Sequence, residues 1–379
     1  MKLPRQERFL ALDVFRGMTI CFMIIVNTPG SGATPFAPLE HATWHGFTPT
    51  DLVFPSFLFA GGNAMSFSLD KYRQVSNAAF LRKIFKRTLL IFLLGYLMYW
   101  FPFFRLDAEG GVAAAPIGNT RIMGVLQRIA LCYFFASLLI HYLSAKKVVI
   151  VSIILLVGYW FLLLLLGDTS QPFSMLGNAG EYLDKFLMGN NHLYHGEGIP
   201  FDPEGWLSTL PAIVNVIIGY YAGRFILKNG RGYDTLARLM LVGSLFIFAA
   251  LCWNMIFPIN KKLWTSSFVL LTTGLDLIIL SALIYITEIK KWNQFNWPNF
   301  FLIFGRNPLF IYLLSELLVV AFYMIRTAPR ENLYGKINTV FFQAVAPGAI
   351  GSLLFAVCYM LLCWSIGWWL NKRKIYIRV

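Results

Sequence analysis

The sequence predicts an all-α protein: a polytopic membrane protein, a single bundle of about ten transmembrane helices with both termini cytoplasmic. Three observations lead there. Of the 379 residues, 58% are hydrophobic and only 13% are charged, against roughly 25% charged in soluble domains. The apolar residues gather in runs close to the length, about 20 residues, that a bilayer-crossing helix needs. The basic residues are sorted to one side of those runs. Disorder is excluded by the same apolar content. A net charge of +14 raises a nucleic-acid reading, but the chain has too little polar surface for a soluble binder, so no nucleic-acid partner is expected. The five cysteines (Cys21, Cys132, Cys252, Cys358, Cys363) fall inside apolar runs and read as small hydrophobes, with no disulfide framework and no metal site.

Residues 1–379 read as one domain. The first span, 9–28, holds Asp13 and Arg16 in its apolar stretch, and Asn27 closes it before Pro29 and Gly30. A polar loop, 29–51, leads to span 52–70, which opens after Thr-Pro-Thr-Asp. Spans 88–104, 122–143 and 147–166 follow. Residues 167–206, rich in Gly, Pro, Asn and acid, form the one long connection, with a short helix expected over 179–188. Spans 207–227, 237–257, 264–287, 298–325 and 347–370 complete the set. The ninth contains Gly305-Arg306-Asn307-Pro308, where Gly and Pro weaken a helix.

With the N-terminus inside, the inner segments hold 21 Lys and Arg against 4 acids, and the outer segments 8 against 10. That asymmetry sets the expected orientation. It places loops 29–51 and 167–206 outside, with four of the five histidines: His41, His45, His192 and His195.

Seven ionisable residues remain in or beside the spans: Asp13, Arg16, Asp51, Arg128, Asp276, Arg306 and Glu316. Each costs about 2.5–3.5 kcal/mol on insertion scales, so each pairs with a neighbour or serves a ligand. Arg16 lies about 10 Å in from the inner surface at 1.5 Å per residue, and Arg306 at a similar depth. Arg121 and Arg128 share a face and descend from the outer side. Cations on several helices fit a path for an anionic ligand, with phosphate the natural candidate.

The densest polar cluster is Glu40-His41-Ala42-Thr43-Trp44-His45-Gly46-Phe47-Thr48-Pro49-Thr50-Asp51. A histidine beside a carboxylate serves as base or nucleophile, with its tautomer set by the acid. Asp51 is a candidate for that orienting role and equally for the N-cap of span two.

The chain resembles the transmembrane acyltransferases related to lysosomal heparan-alpha-glucosaminide N-acetyltransferase. The resemblance rests on Leu12-Asp13-Val14-Phe15-Arg16-Gly17, Val26-Asn27, His41-Ala42-Thr43-Trp44 and Asp51-Leu52-Val53-Phe54-Pro55. It continues in Arg121-Ile122-Met123-Gly124-Val125-Leu126-Gln127-Arg128, Phe201-Asp202-Pro203-Glu204-Gly205, Pro258-Ile259-Asn260-Lys261-Lys262-Leu263-Trp264 and Gly305-Arg306-Asn307-Pro308. It implies transfer of an acetyl group from cytosolic acetyl-CoA to a glucosamine-type amine, with His41 as the active-site histidine and Asn27 and Asp51 beside it. Where the lysosomal enzyme carries asparagine, this chain has His45.

On that basis Arg16, Arg128, Arg306, Asn307 and Gln127 are candidates for holding acetyl-CoA, and Trp44, His45, Asp202 and Glu204 for holding the acceptor. His41 acts either as general base or as acetyl carrier, and Asn27 as donor to the oxyanion. An amino sugar or envelope glycan is the expected acceptor, a bacterial cytoplasmic membrane the expected location, and a homodimer the assembly implied by the resemblance. Transport of N-acetylglucosamine is the rival reading, and a non-catalytic scaffold a third. Transporters commonly carry internal repeats around a midplane site, whereas this polar cluster is loop-centred and no repeat is visible.

Overall fold

A computed structural model describes residues 9–30, 34–69, 76–106, 111–292, 296–328 and 331–377. It is almost wholly helical. The helices are α1 (Leu10–Asn27), α2 (Val53–Ser68), α3 (Asn77–Trp100), α4 (Val125–Tyr142), α5 (Ala145–Leu166), α6 (Ala179–Met188) and α7 (Thr209–Asn229). They continue as α8 (Tyr233–Asn254), α9 (Ser266–Ile284), α10 (Trp297–Arg306), α11 (Pro308–Met324), α12 (Leu333–Ile337) and α13 (Ala349–Lys372). Two short antiparallel hairpins, β1 (Phe104–Leu106) with β2 (Val112–Ala114) and β3 (Arg326–Ala328) with β4 (Glu331–Asn332), lie between helices.

Every expected span coincides with a helix, and α6 forms where a short helix is expected. Among the described residues, seven helices are long and apolar enough to cross a membrane, or eight if the bent pair α10–α11 counts as one span. The protein is therefore an all-α polytopic membrane protein. The difference from ten lies at α2 and α3. Helix α2 has 16 residues and is extended by a 3-10 turn over Pro49–Leu52. Helix α3 starts well before the expected residue 88, because the Ser76 hydroxyl accepts from the Ala79 amide and caps it. Arg82, Lys83, Lys86 and Arg87 thus stand on a helix rather than in a loop. The ninth expected span breaks at Asn307, where α10 and α11 meet at 82°.

The helices pack by close backbone approach. A methyl group added to Gly62 of α2 would run into the Val216 carbonyl of α7, and one added to Gly219 of α7 would meet the Phe59 carbonyl of α2. The same holds where Gly17 of α1 crosses Phe301 of α10. Small residues are what let membrane helices approach this closely. Helices α7 and α9 are the most buried of the apolar helices, while α5 and α8 lie at the periphery.

One end of the bundle is covered by four connections tied to one another. The Gly46 amide donates to Ile259 O at 2.8 Å, the Trp44 indole to Phe173 O at 2.9 Å, and the Ile122 amide to His192 O at 3.2 Å. This cap carries His41.

Candidate active site

The loop after α1 is shaped around Asp51. Its carboxylate is sealed from solvent, and Oδ2 accepts the amides of Ala42 (3.2 Å) and Thr48 (2.9 Å). With Oδ2 committed to the chain, Oδ1 faces His41 Nδ1 at 2.7 Å. Asp51 holds His41 as expected, but it is not itself the N-cap: Thr48 caps the 3-10 turn ahead of α2, and Asp51 closes the capping box from the third position of that turn. Burial pushes its pKa up, but the hydrogen bonds from His41 and Thr48 and the charge of Lys261 outweigh burial and hold it below its ordinary 3.8. A carboxylate only accepts, so Nδ1 carries the proton and Nε2 keeps its lone pair. The His41 side chain is 40% exposed.

Lys261 completes the group. Its ammonium lies 3.0 Å from His41 Nε2 and 3.2 Å from Nδ1. The segment that carries it, 258–265, is anchored at both ends. Trp264 is fully buried at φ 54°, with its indole donating to Asn215 Oδ1 at 3.1 Å. Asn260 accepts the Leu263 amide at 2.8 Å and donates to His45 Nδ1 at 3.3 Å. Lys262 donates to Thr43 O at 2.9 Å and to Glu197 at 2.5 Å. Burial lowers the pKa of Lys261 from its ordinary 10.5 against the opposing pull of Glu204 and Asp51.

The sequence marks Lys261 only as an outer charge in a short motif. Its contact with His41 joins residues 220 positions apart, which no local spacing reveals.

The acceptor candidates fall into two groups. Trp44 and His45 share the His41 loop, and Trp44 meets Phe201 edge to face at 5.6 Å. Asp202 and Glu204 are buried and engaged by Arg121, whose Nε and Nη2 donate to Asp202 at 2.9 and 2.6 Å and whose Nη2 reaches Glu204 at 2.5 Å. Burial pushes the pKa of Glu204 up, and the charges of Arg121, Arg128 and Lys261 more than offset it, leaving it below 4.5. Asn27 donates to Glu316 of α11 at 3.3 Å rather than to His41.

With this geometry in place, the comparisons with known proteins are specific. Residues 8–248 match the heparan-alpha-glucosaminide N-acetyltransferase catalytic family. The chain belongs to this family. It is 28% identical over 368 residues to human heparan-alpha-glucosaminide N-acetyltransferase, covering 82% of this chain and 53% of that protein. It is 26% identical over 379 residues to the mouse protein, covering 82% and 54%. The chain thus spans about half the length of the curated relatives it matches.

The cations proposed for the donor divide in this family member. Gly305 of α10 packs on the Asp13 carbonyl of α1, which sets Arg16 and Arg306 beside one helix crossing. Arg16 pairs with Asp13 at 3.5 Å. Arg306 donates to Asn371, and the Asn307 amide donates to Ile375 O at 3.0 Å while its oxygen accepts from Ile377 N at 2.9 Å. Arg128 and Gln127 lie elsewhere, on α4. Arg128 is fully buried, donates to Gly205 O at 3.0 Å and to Ser208, and lies 4.8 Å over the Trp264 ring. Gln127 is buried against Gly95 of α3, and neither of its side-chain polar atoms has a hydrogen-bond partner among the described residues.

Proposed function

We propose that this chain is a transmembrane acetyltransferase that moves an acetyl group from cytosolic acetyl-CoA to an amino sugar on the outer side of a bacterial cytoplasmic membrane. The observation that carries this reading is the Asp51–His41–Lys261 row, with Nδ1 of the part-exposed His41 held by a carboxylate and Nε2 beside the Lys261 ammonium. Membership of a family whose curated relatives are named N-acetyltransferases supports the reaction class.

The described residues fit the donor at both ends. Arg306 Nε is buried without a hydrogen-bond partner among the described residues, and Arg16 stands at the same crossing, an arrangement suited to phosphate. An apolar pocket of about 280 Å³ lies between α1, α2 and the loop, and Thr50, the neighbour of Asp51, is in its wall. That pocket suits the apolar arm of a thioester. The charge sorting in the sequence supports an inner side at residues 76–87 and 371–377 and an outer side at His41.

In the reaction, the amine nitrogen bonds to the thioester carbonyl and the carbon–sulfur bond breaks. His41 Nε2 takes the proton that the amine loses and returns it to the departing thiolate. The ammonium of Lys261 faces the same space and stabilises the oxyanion that forms on the carbonyl. A route through an acetylated His41 uses the same Nε2 lone pair. It differs in one observable, a labelled protein after incubation with acetyl-CoA alone.

Purified protein given acetyl-CoA and glucosamine is expected to release free CoA, and His41→Ala to abolish that release. N-acetylglucosamine uptake into proteoliposomes without any CoA release would replace this reading with transport.

A further inference from the structure

Helix α3 carries a pattern that the proposed chemistry does not use. Arg82, Lys86, Leu89, Leu93 and Leu97 follow one another at spacings of four, three, four and four residues, which stacks them along one face of the helix. All five are exposed. The opposite face, with Phe80, Ile84, Thr88, Ile91, Gly95 and Met98, is buried. The exposed face therefore presents charge at its inner end and hydrocarbon beyond it. Lys86 to Leu97 spans about 16 Å at 1.5 Å per residue. That is close to half of the roughly 30 Å hydrocarbon thickness of a bilayer, the depth of one leaflet.

Neighbouring elements add to the charged end. Arg87 is turned toward α4, with Nη1 donating to the Tyr133 hydroxyl at 3.4 Å and the guanidinium carbon 4.7 Å from the centre of that ring. The inner end of α4 is fixed to the start of α3. There His141 stacks on Phe80 at 3.8 Å with the ring planes 13° apart, and its Nε2 lies 3.2 Å from Asn77 Oδ1. Only Leu143 and Ser144 separate α4 from α5, so the exposed Lys146 and Lys147 of the first turn of α5 stand beside the same end of α4. The sequences of α3, α4 and α5 contain no Asp or Glu.

We infer that this face of α3 seats an anionic phospholipid of the inner leaflet. Its phosphate is held by Arg82, Lys86 and Arg87, and one acyl chain lies along Leu89, Leu93 and Leu97. Charge complementarity selects the headgroup, because each basic residue at the membrane surface favours an anionic lipid by about fivefold. The apolar stripe selects a lipid over a soluble phosphate, since a free anion gains nothing from three leucines. The inference rests on the membrane-spanning bundle and on which of its ends is the inner one, and it is independent of the transferase reading.

The test uses full-length protein in detergent, stripped of co-purified lipid and titrated with phosphatidylglycerol or with phosphatidylcholine of the same chains. Binding is read by native mass spectrometry. Phosphatidylglycerol is expected to bind more tightly. Arg82→Gln combined with Lys86→Gln is expected to weaken phosphatidylglycerol about 30-fold and to leave phosphatidylcholine little changed. Lys228→Gln combined with Lys290→Gln removes an equal inner charge away from α3 and is expected to keep the preference. A second experiment uses the wild type alone. Phosphatidylglycerol with a photoreactive diazirine in its acyl chain is expected to label residues 89–97, less so in high salt, and to be displaced by unlabelled phosphatidylglycerol but not by excess inorganic phosphate. Equal affinity for the two lipids, equal losses in the two double variants, or labelling confined to other helices overturns the inference. Displacement by inorganic phosphate would assign the cations to a free anion and overturn it as well.

Discussion

A single buried carboxylate can order a loop and a base together when its two oxygens are given different partners, and Asp51 is arranged in that way. Replacing Asp51 with Asn removes the charge that fixes the His41 tautomer. The expected result is a fall in kcat of about 10²–10⁴-fold, with KM for acetyl-CoA little changed, measured by CoA release. The pH dependence follows from the lowered pKa. An Asp held below its ordinary 3.8 contributes stability that is complete above that value and is lost as pH falls through the lower, folded value. Tryptophan fluorescence of the wild type is therefore expected to show loosening of the cap only below pH 3.8, and Asp51→Asn to lack that transition. Lys261→Met tests the oxyanion role. It is expected to lower kcat by about 10²–10³-fold while leaving the thermal midpoint close to that of the wild type. At this scale His41 and Asp51 are legible in the sequence, because they lie only ten positions apart in one loop. Lys261 and the Glu316 partner of Asn27 are not, because each pairing joins segments far apart along the chain.

Among the elements, the crossing of α1 and α10 has the narrowest tolerance. Gly17→Ala would press a methyl group on the Phe301 carbonyl, and overpacking of this kind costs about 1–3 kcal/mol. A lower midpoint in differential scanning fluorimetry is expected, and an unchanged midpoint would show that the two helices separate easily. The positions of the spanning helices are legible from the apolar runs alone, as α1, α5 and α13 illustrate. The extent of α3 is not, because long basic side chains on a helix can reach past the apolar zone and the charges hide the Ser76 cap in composition. The Gly305–Pro308 motif marks a weak point in the ninth span, but the 82° bend depends on partners that hold Asn307 and so lies beyond local sequence.

Across the whole molecule, the proposed orientation is open to a direct test. In a background without the native cysteines, Asn119→Cys is expected to react with a membrane-impermeant maleimide on intact cells. Ser76→Cys is expected to react only after permeabilisation. The opposite pattern would invert the bundle and place His41 on the acetyl-CoA side. The composition already separates an inner from an outer side, whereas the joining of four connections into one cap is a property of the folded bundle. The bend at Asn307 has a consequence for how such a chain is made. Its side chain is satisfied by Ile375 and Ile377, which lie 68 and 70 positions downstream. During synthesis Asn307 is therefore made well before its partners, and the α10–α11 bend cannot be fixed by them until α13 has been translated and the stretch beyond it folds back.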